Sequence, residues 1–152
     1  MNGMRLMRNF ALAIAFTLPS ICSAAEKPVA KSPDSHEQHF WNCADTCHDC
    51  ARMCEACATH CGKMLAEGKK EHSETLQTCR DCASICTAAA SVTARVGPFS
   101  NSICKSCAEA CKRCGDACAK HKDSPMMARC AEACFKCEKA CNEMLKHISA
   151  DR

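Results

Sequence analysis

The stretch "CADTCHDCARMCEACATHC", residues 43–61, places six cysteines at successive separations of 4, 3, 4, 3 and 4. A spacing that averages ~3.5 residues keeps one side-chain type on a single stripe of an α-helix. Stripes of that period normally carry Leu or Ile and form the seam between packed helices. Here the seam carries thiols, and the whole chain contains no CC or CxC pair.

The same unit recurs. "AEACKRCGDAC" (108–118) and "AEACFKCEKAC" (131–141) are near copies, "ARMCEACATHC" (51–61) matches them at every cysteine, and "LQTCRDCASIC" (76–86) keeps the C-x-x-C-x-x-x-C frame. Such internal repetition marks a repeated structural unit. Turn and cap residues divide the chain into four helices. "SHEQ" (Ser35 to Gln38) has the form of a capping box and opens the first, which Gly68 ends. The second runs from about Glu71 to Arg95 and stops at Gly97-Pro98. The third begins near Ser100 or Ser102 and ends about His121. Ser124 caps the fourth, with Pro125 at its first position, and it fades after Ile148. Connections this short make sequential helices antiparallel neighbours, and no Val/Ile/Thr-rich alternating segment suggests a sheet. The expected fold is all-α, an antiparallel up-down-up-down four-helix bundle with a cysteine-lined core over residues 35–149.

Ahead of it, residues 1–25 read as an export signal: Arg5 and Arg8, the apolar run "FALAIAFTLPSIC", then "SAAE" with cleavage after Ala24 or Ala25. The apolar run is too short to span a bilayer, so no stable membrane anchor is expected. The mature protein is expected outside the cytoplasm, in the periplasm, with residues 26–34 as a flexible linker. Cleavage discards Cys22 and two arginines but no acid, leaving 18 basic and 17 acidic residues and 18 of the 19 cysteines. A near-neutral chain without a basic face is not expected to bind nucleic acid.

Eighteen thiols inside a bundle call for a chemical reason. Cysteine as a small buried hydrophobe explains one or two positions, but a core of cysteines buries far less apolar area than one of Leu or Ile. Disulfides are the default for an exported cysteine-rich chain, yet they usually staple loop-rich domains, and the Cβ vectors of helix neighbours run parallel rather than converging. Among metals, zinc favours closed four-ligand sites, and iron–sulfur ligation uses loop-borne runs ending in Cys-Pro, unlike "CKSCAEAC" (104–111). Cu(I) is soft and accepts two or three thiolates, which i, i+3 and i, i+4 pairs supply. A bis-thiolate Cu(I) site is anionic, and burying many such charges is prohibitive. Bridging sulfurs allow about one Cu(I) per thiolate and a neutral core, hence a capacity of roughly 15–20 Cu(I) per chain.

The repeated C-x-x-C-x-x-x-C helices after a signal peptide resemble the bacterial copper storage proteins over residues 36–148. The resemblance implies a cysteine-lined four-helix bundle that holds many Cu(I) ions and assembles as a homotetramer. It assigns Cys43, Cys47, Cys50, Cys54, Cys57 and Cys61 as ligands on the first helix and Cys79, Cys82 and Cys86 on the second. Cys104, Cys107, Cys111, Cys114 and Cys118 serve on the third, and Cys130, Cys134, Cys137 and Cys141 on the fourth. Exported members can use twin-arginine signals, whereas Arg5 and Arg8 are not adjacent.

Extending each stripe by its own rhythm describes the two ends of the tube. One end meets Met64, His72, His121 and Met127, and the other Phe40, Val96 and Ile148, with Met144 and Thr93 nearby. Thioether and imidazole ligate Cu(I), so copper is expected to pass at the Met/His end and the other end to be plugged. His48 and His60 lie off the stripe and are expected at the surface, and Trp41 at the bundle rim. No histidine has Glu three residues before it, as a di-iron bundle enzyme requires, and thiol–disulfide catalysis normally accompanies a βαβ pattern that is absent. No enzymatic activity is expected. The readings left open are a Cu(I) store that exchanges with a copper-accepting protein or chelator, a detoxifying sponge for mixed thiophilic metals, and a disulfide-stapled structural protein.

Overall fold

A computed structural model describes residues 35–121 and 123–150. The expected signal and linker, residues 1–34, lie outside the described residues. Four helices follow one another: α1 Ser35–Ala66, α2 Ser73–Thr93, α3 Ser100–Ala119 and α4 Pro125–Ala150, with a 3₁₀ turn at Lys70–His72 leading into α2. No strand occurs among the described residues. Each helix packs on its two sequence neighbours or, for α1 and α4, on each other. The result is the up-down-up-down square that the short connections demand.

Helix ends follow the sequence with two exceptions. Ser35 is already helical, and the Gln38 amide donates to Asn42 Oδ1 at 2.8 Å rather than reaching back to cap the first turn. Thus the expected capping box is not the contact Gln38 makes. Ser124 does cap α4: its Oγ accepts a long 3.5 Å bond from the Met127 N–H, and Pro125 is the first helical residue.

The C-termini of α1 and α2 use the same closure with different residues. After α1, Lys69 N–H bonds Met64 O at 3.0 Å and Gly68 N–H bonds Leu65 O at 2.9 Å, with Gly68 at φ 86°. This is a Schellman cap with glycine in its left-handed position. After α2, Gly97 N–H bonds Val92 O at 3.1 Å and Val96 N–H bonds Thr93 O at 2.8 Å. The left-handed position therefore falls on Val96, at φ 50°, one residue before the glycine. A β-branched residue is strained there.

The core is made of sulfur. All 18 cysteines of the bundle are buried, none more than 3% exposed. Small residues lie beside them: Ala44, Ala51 and Ala58 recur every seven residues on α1 and are buried, as are Ala83 on α2, Ala108 on α3 and Ala131 on α4. Interaxial distance depends on side chains at the contact, so alanine at these seams draws the thiol stripes together. Gly115 serves the α3–α4 contact in the same way. A Cβ there would stand 2.6 Å from Cε1 of Phe135, so the glycine lets that ring lie against the α3 backbone.

Candidate metal centre

The thiol stripes meet on the bundle axis. The diagonal helices α1 and α3 approach through their cysteines, forming successive rungs: Cys47–Cys107 at 3.9 Å, Cys50–Cys111 at 3.9 Å, Cys54–Cys114 at 3.9 Å and Cys57–Cys118 at 3.8 Å. Helix α2 adds Cys86 at 3.6 Å from Cys107, Cys82 at 3.8 Å from Cys111 and Cys79 at 3.6 Å from Cys114. From α4, Cys134 reaches Cys54 at 3.6 Å, and both Cys137 and Cys141 reach Cys47 at 3.7 Å. Cys43, Cys104 and Cys141 interact at one end of the tube.

All 18 are free thiols. Adjacent sulfurs 3.5 to 4.0 Å apart fit two thiolates at ~2.3 Å from one shared metal with an angle between them of ~100–120°. Groups of four converge within 4.8 Å, and the groups overlap: Cys50 and Cys82 both belong to two of them, as do Cys54, Cys130 and Cys134. Independent tetrahedral sites cannot share ligands in this way. A chain of bridged metals can.

Electrostatics favour a monovalent guest. Cys50 is held well below the ordinary thiol range by Cys111, Cys134, Cys137 and Cys54. Cys107 is similarly lowered by Cys111, Cys137, Cys141 and Cys47, and Cys114 by Cys118, Cys130, Cys134 and Cys54. Contact with these neighbouring thiols stabilises charge on the lowered sulfur. Others are pushed the other way: hydrogen bonding with Cys107 raises Cys137, and hydrogen bonding with Cys114 raises Cys134. Cys82 is lowered to about 7, chiefly by Cys111. Cys61, near the tube's end, is pushed up to about 12 by burial. Charge forms on the axis only where neighbours supply protons or cations. Four thiolates around a divalent ion leave two negative charges, whereas one monovalent ion per thiolate leaves none.

The Met/His end gathers the residues that the stripes point to. Met127 is fully buried, and its Sδ lies 3.2 Å from Cys57 Sγ, which continues the sulfur column by one thioether. His72 and His121 stack with centroids 4.3 Å apart and planes inclined by 14°. His121 Nε2 is 3.1 Å from Thr75 Oγ1. Burial, then the His121 ring, pushes the His72 imidazolium down in pKa, so the neutral, ligating form is favoured. Its Nδ1 is buried with no hydrogen-bond partner, a polar atom left unsatisfied at the edge of the tube. Met64 is half-buried on the same cavity of about 460 Å³, and Lys69 Nζ sits 3.3 Å from its Sδ.

His60 corrects the sequence reading. Although off the stripe, it is half-buried in this cavity, 3.4 Å from Ser124 Oγ and 6.2 Å from the His72 ring, because the turn into α4 folds over it. His48 is exposed as expected, and Trp41 is 41% exposed. At the far end Phe40, Thr93 and Met144 are buried and Ile148 is half-buried against the core. Val96 is not part of that plug: its left-handed backbone turns it outward to 37% exposure. Sequence reasoning missed three histidines here, His36, His39 and His147, which cluster with ring centroids 4.3 to 5.0 Å apart. Continuing the α1 rhythm one step beyond Phe40 reaches His36.

The comparisons agree with this geometry. The copper storage protein family matches residues 35–146. Among solved structures, the copper storage protein Ccsp from Streptomyces lividans, loaded with 10 copper equivalents, is 34% identical with a TM-score of 0.67, over 72% of this chain and 86% of that one. Cu(I)-bound BsCsp3 is 36% identical with a TM-score of 0.64, over 71% of this chain and 99% of that one. A protein from Nitrosospira multiformis aligns at 28% identity with a TM-score of 0.62, over 72% of this chain and 97% of that one. No curated protein matches the chain. With the family matched over residues 35–146, which include all 18 bundle cysteines, and with a sulfur-lined axis of the kind that soft metal requires, the chain belongs to the copper storage protein family.

Proposed function

We propose that this chain stores Cu(I) along its axis as a run of thiolate-bridged ions, about one per cysteine, with all 18 bundle cysteines as ligands. The observation that carries the reading is the overlap of the four-thiol groups, since shared sulfurs can bridge neighbouring ions and neutrality then sets the stoichiometry. Copper passes at the Met64, His72, His121 and Met127 end. Support there is the short Cys57–Met127 sulfur contact and the unpartnered Nδ1 of His72.

Residues 1–25 act as an export signal, residues 26–34 as a linker, and the bundle works in the periplasm. That reading rests on the charged, apolar and small-residue succession in the sequence. No helix among the described residues is long and apolar enough to cross a membrane. The protein works as a homotetramer and hands its copper to a chelating molecule or protein. Homotetrameric assembly is what the sequence resemblance implies, and a store of many ions calls for a chelating molecule or protein to receive them.

Anaerobic titration of the reduced protein with Cu(I) against a competing chelator, with thiols counted first, tests the reading. Saturation at roughly 15–20 ions supports a store. Saturation at one to four ions would make the protein a carrier. Equal retention of Zn(II) and Cu(I) in competition would favour the mixed-metal sponge.

A further inference from the structure

Three imidazoles gather at the end of the bundle opposite the Met/His cavity. His36 and His39 lie within the first turns of α1, and His147 lies in the last turn of α4. His36 Nδ1 and His147 Nε2 are 3.1 Å apart. The His39 ring lies 4.3 Å from that of His147, inclined by 34°. A neutral imidazole carries one N–H and one lone pair, so two facing ring nitrogens hold a single proton between them.

That separation also suits a metal. Two nitrogens at ~2.0–2.1 Å from one ion stand ~2.8–3.4 Å apart, depending on whether the shell is square or tetrahedral. An ion can take the place of the shared proton with the backbone left in place, that proton moving to the other ring nitrogen of the same histidine so that both facing nitrogens present lone pairs. His39 is exposed and can swing its ring toward the same point. His39 and His147 also border a groove of about 570 Å³ between α1 and α4, lined farther along by Met144 and Cys43 and edged by Glu143. The groove thus runs from imidazole through thioether to the first thiol of the tube.

We propose that His36 Nδ1, His147 Nε2 and the His39 ring form a surface metal site for a borderline divalent ion, Cu(II) above all, distinct from the thiol store. Ligand type separates the two places. Thiolates select the soft monovalent ion, while imidazoles suit divalent first-row ions, of which Cu(II) stands highest in the affinity order. The chain therefore offers copper a separate site for each oxidation state. Because its ligands come from both helices, the site also ties the start of α1 to the end of α4.

The test uses the full chain with its thiols first saturated with Cu(I), then titrated with Cu(II) and followed by electron paramagnetic resonance. One Cu(II) per chain with nitrogen hyperfine structure is expected. His36→Ala and His147→Ala should each weaken it at least about tenfold while His48→Ala changes nothing, and Cu(I) capacity should be unchanged in all three. Calorimetry with Zn(II), which neither gains nor loses electrons here, should show one site lost in the same two variants. A nitrogen signature that survives the His36→Ala/His147→Ala double variant overturns the assignment, as does the absence of stoichiometric binding of both ions. Because the thiols are occupied throughout, failure of this site leaves the Cu(I) reading standing.

Discussion

Proton release on copper loading discriminates directly between a neutral and an anionic core. Each copper that takes a thiol as ligand displaces its proton, so the ratio of protons released to copper bound reports how many thiolates each ion requires. The bundle holds 18 thiols. Six of them, Cys43, Cys50, Cys82, Cys107, Cys114 and Cys130, are held below the ordinary range by neighbouring thiols. Full loading near pH 7 therefore releases between about 12 and 18 protons, the lower figure applying if all six begin ionised. With one copper per thiolate the ratio falls between about 0.7 and 1; with isolated bis-thiolate sites, about nine ions bind and it lies between about 1.3 and 2. Nine uncompensated charges, at several kcal/mol each, would exceed a folding stability of ~5–15 kcal/mol. The assay is a pH-stat titration of the apo protein with a Cu(I)–acetonitrile complex, which carries no protons of its own. A ratio above about 1.3 with saturation near nine ions would falsify the charge argument.

Further outcomes are expected from other parts of the molecule. Replacing Met64 and His121 together with Ala should slow Cu(I) uptake in stopped-flow measurements by roughly tenfold, the effect of about 1.4 kcal/mol on a barrier, with capacity within an ion or two of the original; unchanged kinetics would reject their role at the mouth. Val96→Gly should stabilise the apo protein, because relief of ~1–2 kcal/mol of left-handed strain exceeds glycine's ~0.5–1 kcal/mol entropic cost, and a lower melting temperature would contradict that. The fold should also weaken in alkali. Burial raises Cys61 to about 12 from ~8.5 in the unfolded chain, so its contribution is complete below pH ~8.5 and is lost as pH rises through the folded value. Urea midpoints of the apo protein should fall between pH 9 and 11, and a flat profile would count against the buried thiols.

The helices and the thiol tube were legible because a 3/4 spacing of one residue type admits few other geometries, and Gly68 and Pro125 mark boundaries by backbone chemistry. What escaped depended on neighbours that are distant in sequence. His60 looks superficial beside Cys61 until the turn at Ser124 folds over it. His36 and His39 acquire meaning only when the antiparallel fold brings His147 alongside. Val96 continues the α2 stripe in sequence but lies outside the plug, because α2 ends at Thr93 and the backbone at Val96 is left-handed. Gly115, a poor helix former in α3, has its reason in the Phe135 ring of α4.

Because the cysteines ride on continuous helices, every rung of the ladder is held by backbone amides that bond within their own helix and need nothing from the cargo. Small metal domains whose ligands sit on loops collapse when a chelator strips them. Here the helices are formed with every thiol free, and the ligand atoms sit at the tips of side chains. A reservoir built this way has its shape before the first ion arrives, so an empty one needs no folding step in order to be filled.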